Sequence, residues 1–199
     1  MVEDGLMAER VLVVKAQELK TIAIDAGFSE FDKNLFATIC KNRFFVDRDK
    51  AENNETLKQI IPYCIVVNNS KIVVVKRKNP GEKRLKDLLS IGIGGHINPV
   101  DDTGDVYENA ARRELNEELK TDKILSLEPV GFLNLDDIPV NRVHLGLVYV
   151  ARVAGNVEVI DSGLEGELKN IAEIATLSDK MEGWSRELAK AIANGKIKI

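Results

Sequence analysis

The segment from Gly94 to Leu119, GGHINPVDDTGDVYENAARRELNEEL, constrains this 199-residue chain more than any other stretch. It ends in three acids, Glu114, Glu117 and Glu118, which are three and four residues apart. In an α-helix this spacing places the three carboxylates on one face, because each residue turns the chain by about 100°. Such carboxylates repel one another unless a bound divalent cation offsets their charge. The segment therefore predicts a helix that carries a metal site.

Residues around the acids support this interpretation. Asp105 can cap the N-terminus of the helix, and Glu108 stands where a capping box needs its second acid. Arg113 precedes Glu117 by four residues and can hold its carboxylate in place. The alternative is a solvated acidic helix end with Arg113 in a surface ion pair, which is the usual meaning of a charge run. The glycine pair, the cap, the arginine and the acids occur together, and this combination favours the metal site.

The segment resembles the signature of the Nudix hydrolases, which ends in Arg-Glu-apolar-x-Glu-Glu-x-Gly-apolar. Arg113 to Glu118 fits that ending without a gap. The first half departs from the signature, because four extra residues lie around 100–103 and Asp105 replaces a glutamate. Lys120 and Thr121 replace the late glycine and the final apolar residue. We expect the extra residues to form a local loop that leaves the helix register intact, since lengthening a loop costs little free energy.

The resemblance, over residues 94–121, implies a fold and an activity. The fold is an α/β/α sandwich with a central mixed β-sheet. The activity is divalent-metal-dependent hydrolysis of a diphosphate linked to another group, often a nucleoside, with Mg²⁺ (or Mn²⁺) as cofactor. The implied metal ligands are the backbone carbonyl of Gly94 and the carboxylates of Glu114, Glu117 and Glu118.

Catalysis also needs a carboxylate that accepts a proton from water. Glu117 and Glu118 are candidates on the helix. The GLEGEL stretch offers Glu165 or Glu167, and we choose Glu165 because flanking glycines would let its backbone bend towards the site. The alternative for that stretch is a solvated hinge with no catalytic role.

Substrate binding is expected from basic and loop residues near the glycine pair. A basic cluster precedes the pair, and its members are Arg77, Lys78, Lys83, Arg84 and Lys86. Arg77 and Arg84 are the favoured phosphate ligands, and the alternative is an exposed basic loop.

Gly95 would let backbone approach a ligand, and His96 either contacts a phosphate or fills the loop. A structural histidine is favoured at His144, and core packing is favoured over base stacking at Trp184.

Two other functions stay open. The first is an isomerase of isopentenyl diphosphate, which resembles Nudix proteins but needs a cysteine near the reacting carbon; Cys64, in the apolar run IPYCIVV, is a poor candidate. The second is a catalytically silent Nudix module that senses a nucleotide. An altered metal helix would favour the silent module, and this helix keeps its acids.

Composition adds only broad limits. The apolar share of 44% is ordinary, and the net charge of -4 gives no general attraction to nucleic acid or to a membrane surface. No apolar run has the length of a membrane-spanning helix, and the two cysteines form no motif, so we expect a cytoplasmic protein. The expected partner is a small-molecule diphosphate substrate, and homodimerisation is expected only from family habit. Residues 1–56 are expected to be an N-terminal extension packed on a Nudix domain formed by 57–199.

The pattern along the chain is that of an α/β protein. Strands are predicted at 11–15, at 60–67 and 71–77 around a turn, at 89–97, and in the stretches PVGFLN, RVHLGLVYVARV and VEVI. A helix is predicted to open at Ser29 and Asp32, and another from about Asp179, with Gly195 as its stop. Residues 43–55 are predicted to be an irregular connection.

Overall fold

The structure, a computed structural model, describes residues 8–20, 26–78 and 88–199. Arg84, Lys83 and Lys86 lie outside the described residues. The strands are β1 (Arg10–Lys15), β2 (Gly27–Glu30), β3 (Phe44–Asp47), β4 (Leu57–Asn68), β5 (Lys71–Arg77), β6 (Leu89–Ser90), β7 (Gly92–Gly94), β8 (Leu119–Asn134), β9 (His144–Val159) and β10 (Leu164–Asn170). The helices are α1 (Ala16–Lys20), α2 (Lys33–Asn42), α3 (Arg48–Glu52), α4 (Val106–Glu118), α5 (Pro139–Arg142), α6 (Ile171–Ile174) and α7 (Gly183–Ala193), and short 3-10 turns cover Pro99–Asp101 and Ala175–Lys180.

The strands that the structure describes form one mixed sheet of ten strands. Its main path runs β10-β5-β4-β9-β8-β2, with β1 pairing β3 and β4, β6 pairing β5, and β7 pairing β4. The pair β4–β9 is parallel, from Gln59 opposite His144 to Asn68 opposite Val153, and the other pairs between the named strands are antiparallel. The sheet is therefore mixed, as the sequence predicts.

Helices cover both faces of this sheet. Along β4, Cys64 and Val66 point to the face that packs against α4, where Ala110 and Ala111 are fully buried. The alternating residues of the same strand, Ile65 among them, belong to a second apolar cluster that contains the buried residues of α7. Since each face of a buried sheet needs its own cover, the result is a three-layer α/β/α sandwich. The predicted fold class is confirmed.

The N-terminal residues contribute strands to this same sheet. Val13 to Lys15 of β1 pair with Leu57 to Gln59 of β4, and β2 pairs with β8. The ring of Phe36 on α2 lies 5.1 Å from that of Tyr107 on α4.

The prediction of an irregular connection over 43–55 is wrong, because β3 and α3 form there and pack against β1.

Local signals identified several elements but not all of their ends. Asp32 caps α2, with the backbone N of Leu35 donating to its Oδ1 at 2.7 Å, whereas Ser29 lies in β2. The hairpin of β4 and β5 forms as predicted, and its turn residue Asn69 has φ of 55°. Helix α7 begins at Gly183, later than predicted, because the Glu182 side chain caps it there. None of the helices in the described part of the chain combines the length and apolarity needed to cross a membrane.

Candidate functional site

Helix α4 carries the acidic residues in the predicted register. Asp105 caps it, since Oδ1 accepts hydrogen bonds from the backbone N of Tyr107 and of Glu108, both at 3.1 Å. The carboxylate of Glu108 forms an ion pair with Arg112 at 2.7 Å. Leu115 is buried in the core on the sheet side. The prediction of a capped helix that keeps its acids in register is confirmed.

Arg113 is the centre of the polar network at this helix. Its Nε and Nη2 donate to the two carboxylate oxygens of Asp101, at 2.9 and 3.0 Å. Its Nη1 donates to Glu114 at 2.7 Å and lies 3.3 Å from Glu117. Its Nη2 also donates to the backbone O of His96 at 2.8 Å. A guanidinium presents a rigid fork of donors, so this one residue fixes the loop, Glu114 and the backbone beside the glycine pair.

The four extra residues form a turn that is bound to α4 through Asp101. Asp101 is 4% exposed although it lies in this turn. Its Oδ2 accepts from the backbone N of Asn98 at 2.8 Å, and Asn98 Nδ2 donates to Arg10 O at 2.9 Å. Removing four residues here would delete the partner of Arg113 and leave its charge partly buried.

The glycine pair lies in close contact with its surroundings. A Cβ at Gly94 would overlap the carbonyl oxygen of Pro62 in the adjacent strand. A Cβ at Gly95 would lie 2.5 Å from Glu114 Oε1, which is closer than any real Cβ contact. Glycine is therefore required at 94, where the contact is with backbone, whereas at 95 a larger residue would displace the Glu114 carboxylate.

The three acids differ in exposure and in proton affinity. The side chain of Glu114 is 13% exposed and that of Glu117 is 57% exposed. Burial raises the pKa of Glu114 above its usual value, although Arg113 opposes this. Burial, followed by the charge of Glu114, raises the pKa of Glu118 to about 7, and Arg77 acts in the opposite direction. Burial without full charge compensation marks a site that a cation would stabilise.

Glu118 and Arg77 line a cavity of about 430 Å³. Strand residues, the loop before β9 and the start of α7 enclose it, and its described lining is Tyr63, Val75, Arg77, Leu88, Ser90, Gly92, Gly94, Glu118, Asp137, Ile138, Val140, Asn141, Leu164, Glu182, Gly183, Trp184 and Arg186. Cations, acids and aromatic rings thus share one concave surface. Such a mixture is typical of a site for a small polar ligand with an apolar part.

The cavity contains polar residues that sequence reasoning missed. The hydroxyl of Tyr63 donates to Glu182 at 2.8 Å and lies 2.8 Å from the hydroxyl of Ser90. Trp184 is 8% exposed and packs in the core, as favoured, yet it also lines the cavity. No local motif marks Glu182, because its partner Tyr63 is 119 residues away in the chain.

His96 does not take the position expected of a phosphate ligand. Its imidazole lies 3.5 Å from that of His144 and 3.8 Å from Glu52, and it is not among the described residues that line the cavity. Arg77 does line the cavity, and Gly95 abuts Glu114. Cys64 is fully buried in β4 as a free thiol, as predicted, which leaves it inaccessible to a substrate.

The stretch that holds Glu165 is a strand and not a bending loop. The GLEGEL stretch forms strand β10 and pairs with β5, with Glu165 opposite Lys76 and Glu167 opposite Val74. Directly paired residues project from the same face of a sheet, and Val74 belongs to the cluster on the α7 face. The register therefore places Glu165 on the face opposite α4.

Comparison with known proteins agrees with this geometry. Residues 58–192 match the family described as NUDIX domain. The chain is 26% identical over 198 residues to Protein YmaB of Bacillus subtilis (strain 168), covering 92% of this chain and 96% of YmaB. It is 33% identical to Tm1382, which its crystal structure describes as a candidate Nudix hydrolase, with a TM-score of 0.82 over 94% of this chain and 99% of that one.

A more distant structure shares the fold alone. DR0079 from Deinococcus radiodurans is 17% identical, with a TM-score of 0.57 over 94% of this chain and 98% of that one. The family match spans more than half of the chain and includes the whole of α4 with its acids. The chain belongs to the Nudix family and is a hydrolase that acts on phosphoric anhydride bonds.

Proposed function

We propose that the protein cleaves a diphosphate linked to another group, a nucleoside being the favoured one, and that it requires Mg²⁺ or Mn²⁺. One observation carries this proposal: Glu118 and Arg77 line the same cavity, at the end of a helix that presents three acids. A diphosphate needs a cation-binding surface and a basic contact next to each other. The described residues supply both.

The acids of α4 and the glycine pair suit a hard cation beside the cavity. Glu114, Glu117 and Glu118 would hold it together with the backbone carbonyl of Gly94, and this donor set consists of oxygen atoms only, as Mg²⁺ prefers. A bound divalent cation would lower the pKa of an attached water and offset charge on the diphosphate oxygens.

The protein's own side chains would position the metal ligands and the substrate and would accept the proton from water. Arg113 keeps the carboxylate of Glu114 in place at 2.7 Å. Arg77 is the proposed contact for phosphate oxygens, and Arg84 is retained as a second proposed contact. The proton acceptor is proposed to be Glu118 or Glu117, because both carboxylates lie at the end of the helix that would hold the metal and its attached water.

The aromatic part of the cavity is the proposed seat of the other group. Tyr63 and Trp184 meet edge to face, with ring centroids 5.3 Å apart. The indole nitrogen of Trp184 is buried and has no hydrogen-bond partner among the described residues. The two rings offer the other group an apolar, aromatic wall. In this proposal residues 57–199 form the catalytic domain and 1–56 its extension.

The test is a panel of diphosphate compounds incubated with Mg²⁺ and assayed for released phosphate and pyrophosphate. We expect the best substrate to be hydrolysed by the wild type and hydrolysis to stop when the metal is chelated. Glu118→Gln keeps the shape of the side chain and removes its charge, so it should abolish turnover. Glu108→Gln, on the exposed first turn of the same helix, is the matched control and should turn over normally. Wild-type turnover by Glu118→Gln would refute the assignment of the site.

A further inference from the structure

The chain has two histidines, and they meet in the folded protein. His96 and His144 are 48 residues apart in sequence, yet their Nε2 atoms lie 3.5 Å apart. Oε1 of Glu52 lies 3.8 Å from His96 Nε2. One ligand atom from each of the three residues falls within 4.8 Å of the others. Three residues with metal-binding side chains thus converge from three separate segments.

The fold holds each of these residues on a defined element. Glu52 ends α3, His96 follows the glycine pair, and His144 begins β9. His144 is 8% exposed, and its Nδ1 lies 2.6 Å from the backbone O of Val140. A carbonyl oxygen only accepts, so Nδ1 carries the hydrogen and Nε2 presents a lone pair towards His96. A second ring nitrogen bonded to a backbone carbonyl is the usual arrangement of a metal-binding histidine.

The distances fit a metal better than a direct hydrogen bond. Ligands about 2.0–2.1 Å from a tetrahedral zinc ion are about 3.3 Å from one another. The separations of 3.5 and 3.8 Å exceed that by a few tenths of an ångström, and the third pair, Glu52 and His144, lies within 4.8 Å, so a bound ion would draw these side chains closer together. A direct bond between the two imidazoles would be long at 3.5 Å, since the usual N–H donor distance is about 2.9–3.0 Å. Arg48 Nε donates to Glu52 Oε1 at 3.2 Å and orients that carboxylate from the outside.

We propose that Glu52, His96 and His144 form a binding site for a divalent transition metal, with Zn²⁺ as the preferred ion. Two imidazoles and one carboxylate suit zinc, whereas Mg²⁺ prefers oxygen ligands alone. The site shares no ligand with the acids of α4. Because the side chain of Glu52 is 31% exposed, a water molecule can complete the coordination.

A metal at this position would tie the N-terminal part of the chain to the loop beside the hydrolytic site. Glu52 comes from α3, and the backbone O of His96 accepts the hydrogen bond from Arg113 at 2.8 Å. Zn²⁺ would bind the folded state and not the unfolded one, so it would raise the melting temperature. Its effect would be structural and would not require any change in the hydrolytic chemistry.

The first experiment uses NMR of the full-length protein without a histidine tag, in excess Mg²⁺ so that the carboxylate site is saturated. Zn²⁺ is titrated while the ring nitrogens of the two histidines are observed. We expect the Nε2 signals of both rings to shift together and to stop changing at one equivalent. Unchanged ring signals would overturn the proposal and would identify the pair as an ordinary buried contact.

Variants then test the ligand set by the Zn²⁺ affinity measured with a competing chelator. Glu52→Gln and His144→Asn should each weaken Zn²⁺ binding by more than about 10-fold. Loss of a residue that only hydrogen-bonds a metal ligand already costs about 10-fold or more, and these two residues are proposed as ligands themselves. Glu55→Gln is the matched control, because Glu55 is 61% exposed and pairs with Arg142 instead. Wild-type affinity in Glu52→Gln would overturn the proposal. Should His144→Asn fail to fold, Glu52→Gln and the wild-type NMR titration still decide. Neither readout depends on hydrolysis.

Discussion

Two acidic segments of similar composition differ in the exposure of their acids and in the face of the sheet on which those acids lie. ELNEEL, which ends α4, places Glu114 at 13% exposure beside Arg113. LEGEL, in β10, leaves Glu167 at 63% exposure in a surface pair with Lys169. The first segment brings Glu118 to the cavity that Arg77 also lines. The second segment projects its acids from the opposite face of the sheet.

The difference lies in the backbone period and in the neighbours. A helix groups residues three and four apart on one side, whereas a strand sends alternate residues to opposite faces. In α4 the acids share one side of the helix, and arginines stand beside them: Arg113 contacts Glu114, and Arg77 lines the cavity with Glu118. Acidic composition alone does not identify a metal site.

The largest expected effect breaks the network that supports the first segment. Asp101→Asn should lower the free energy of unfolding by about 3 kcal/mol, because Arg113 loses its main charged partner in a half-buried position. Asp102→Asn, one residue later, should cost less than about 1 kcal/mol, since that acid is 44% exposed and pairs with Arg43 on the surface. Urea denaturation measures both. Equal losses would show that burial of Asp101 has no energetic consequence.

The next largest effect is expected on turnover, where the Gly95 backbone lies against the Glu114 carboxylate. Gly95→Ala would force Glu114 away from its position and should reduce kcat by about 100-fold, the scale of a misplacement of about 1 Å. Gly104→Ala is the control: its Cβ would meet nothing within 4 Å, and its φ of +73° predicts a stability loss of about 1 kcal/mol with normal turnover. Normal kcat in Gly95→Ala would mean that Glu114 can shift without consequence.

A smaller effect follows from the proton affinity of Glu118 in the metal-free protein. Its pKa rises from 4.5 to about 7 on folding, so the folded state binds more protons in that interval and stability falls as the pH rises from 4.5 to 7. Glu118→Gln removes this loss and should stabilise the metal-free protein above pH 7 by about 1–3 kcal/mol, with no gain below pH 4.5. Thermal unfolding in a chelator at both pH values tests this. A pH-independent difference would contradict it.

The smallest effect is expected in the second segment. Glu165→Gln should change kcat by no more than about twofold, as is usual for a surface substitution away from a site. Turnover on the best substrate, measured beside Glu118→Gln, is the comparison. A large loss would return Glu165 to the list of proton acceptors.

Local patterns predicted the parts of the molecule that local physics controls. The cap at Asp105 and the one-sided acids of α4 depend on residues within one or two turns. The hairpin of β4 and β5 depends on two apolar runs and a turn at Asn69. These features were therefore predictable from neighbouring residues alone.

Contacts between distant segments were not predictable in the same way. Asp101 is an ordinary loop acid until Arg113 folds over it. The clustering of His96, His144 and Glu52 needs three separate elements in place. Strand β10 was not predicted, because its glycine and acids mask an alternating pattern that only pairing with β5 reveals.

The position of β10 at one end of the sheet has a consequence for solubility. An end strand offers unpaired backbone groups that can recruit another chain into a growing aggregate. Here the terminal strand reads LEGELKN, with two acids and a lysine among its seven residues. Charges on such a strand oppose the addition of a second copy, because pairing would remove them from water and an in-register parallel copy would align like charges. The acids of β10 thus oppose extension of the sheet at that end.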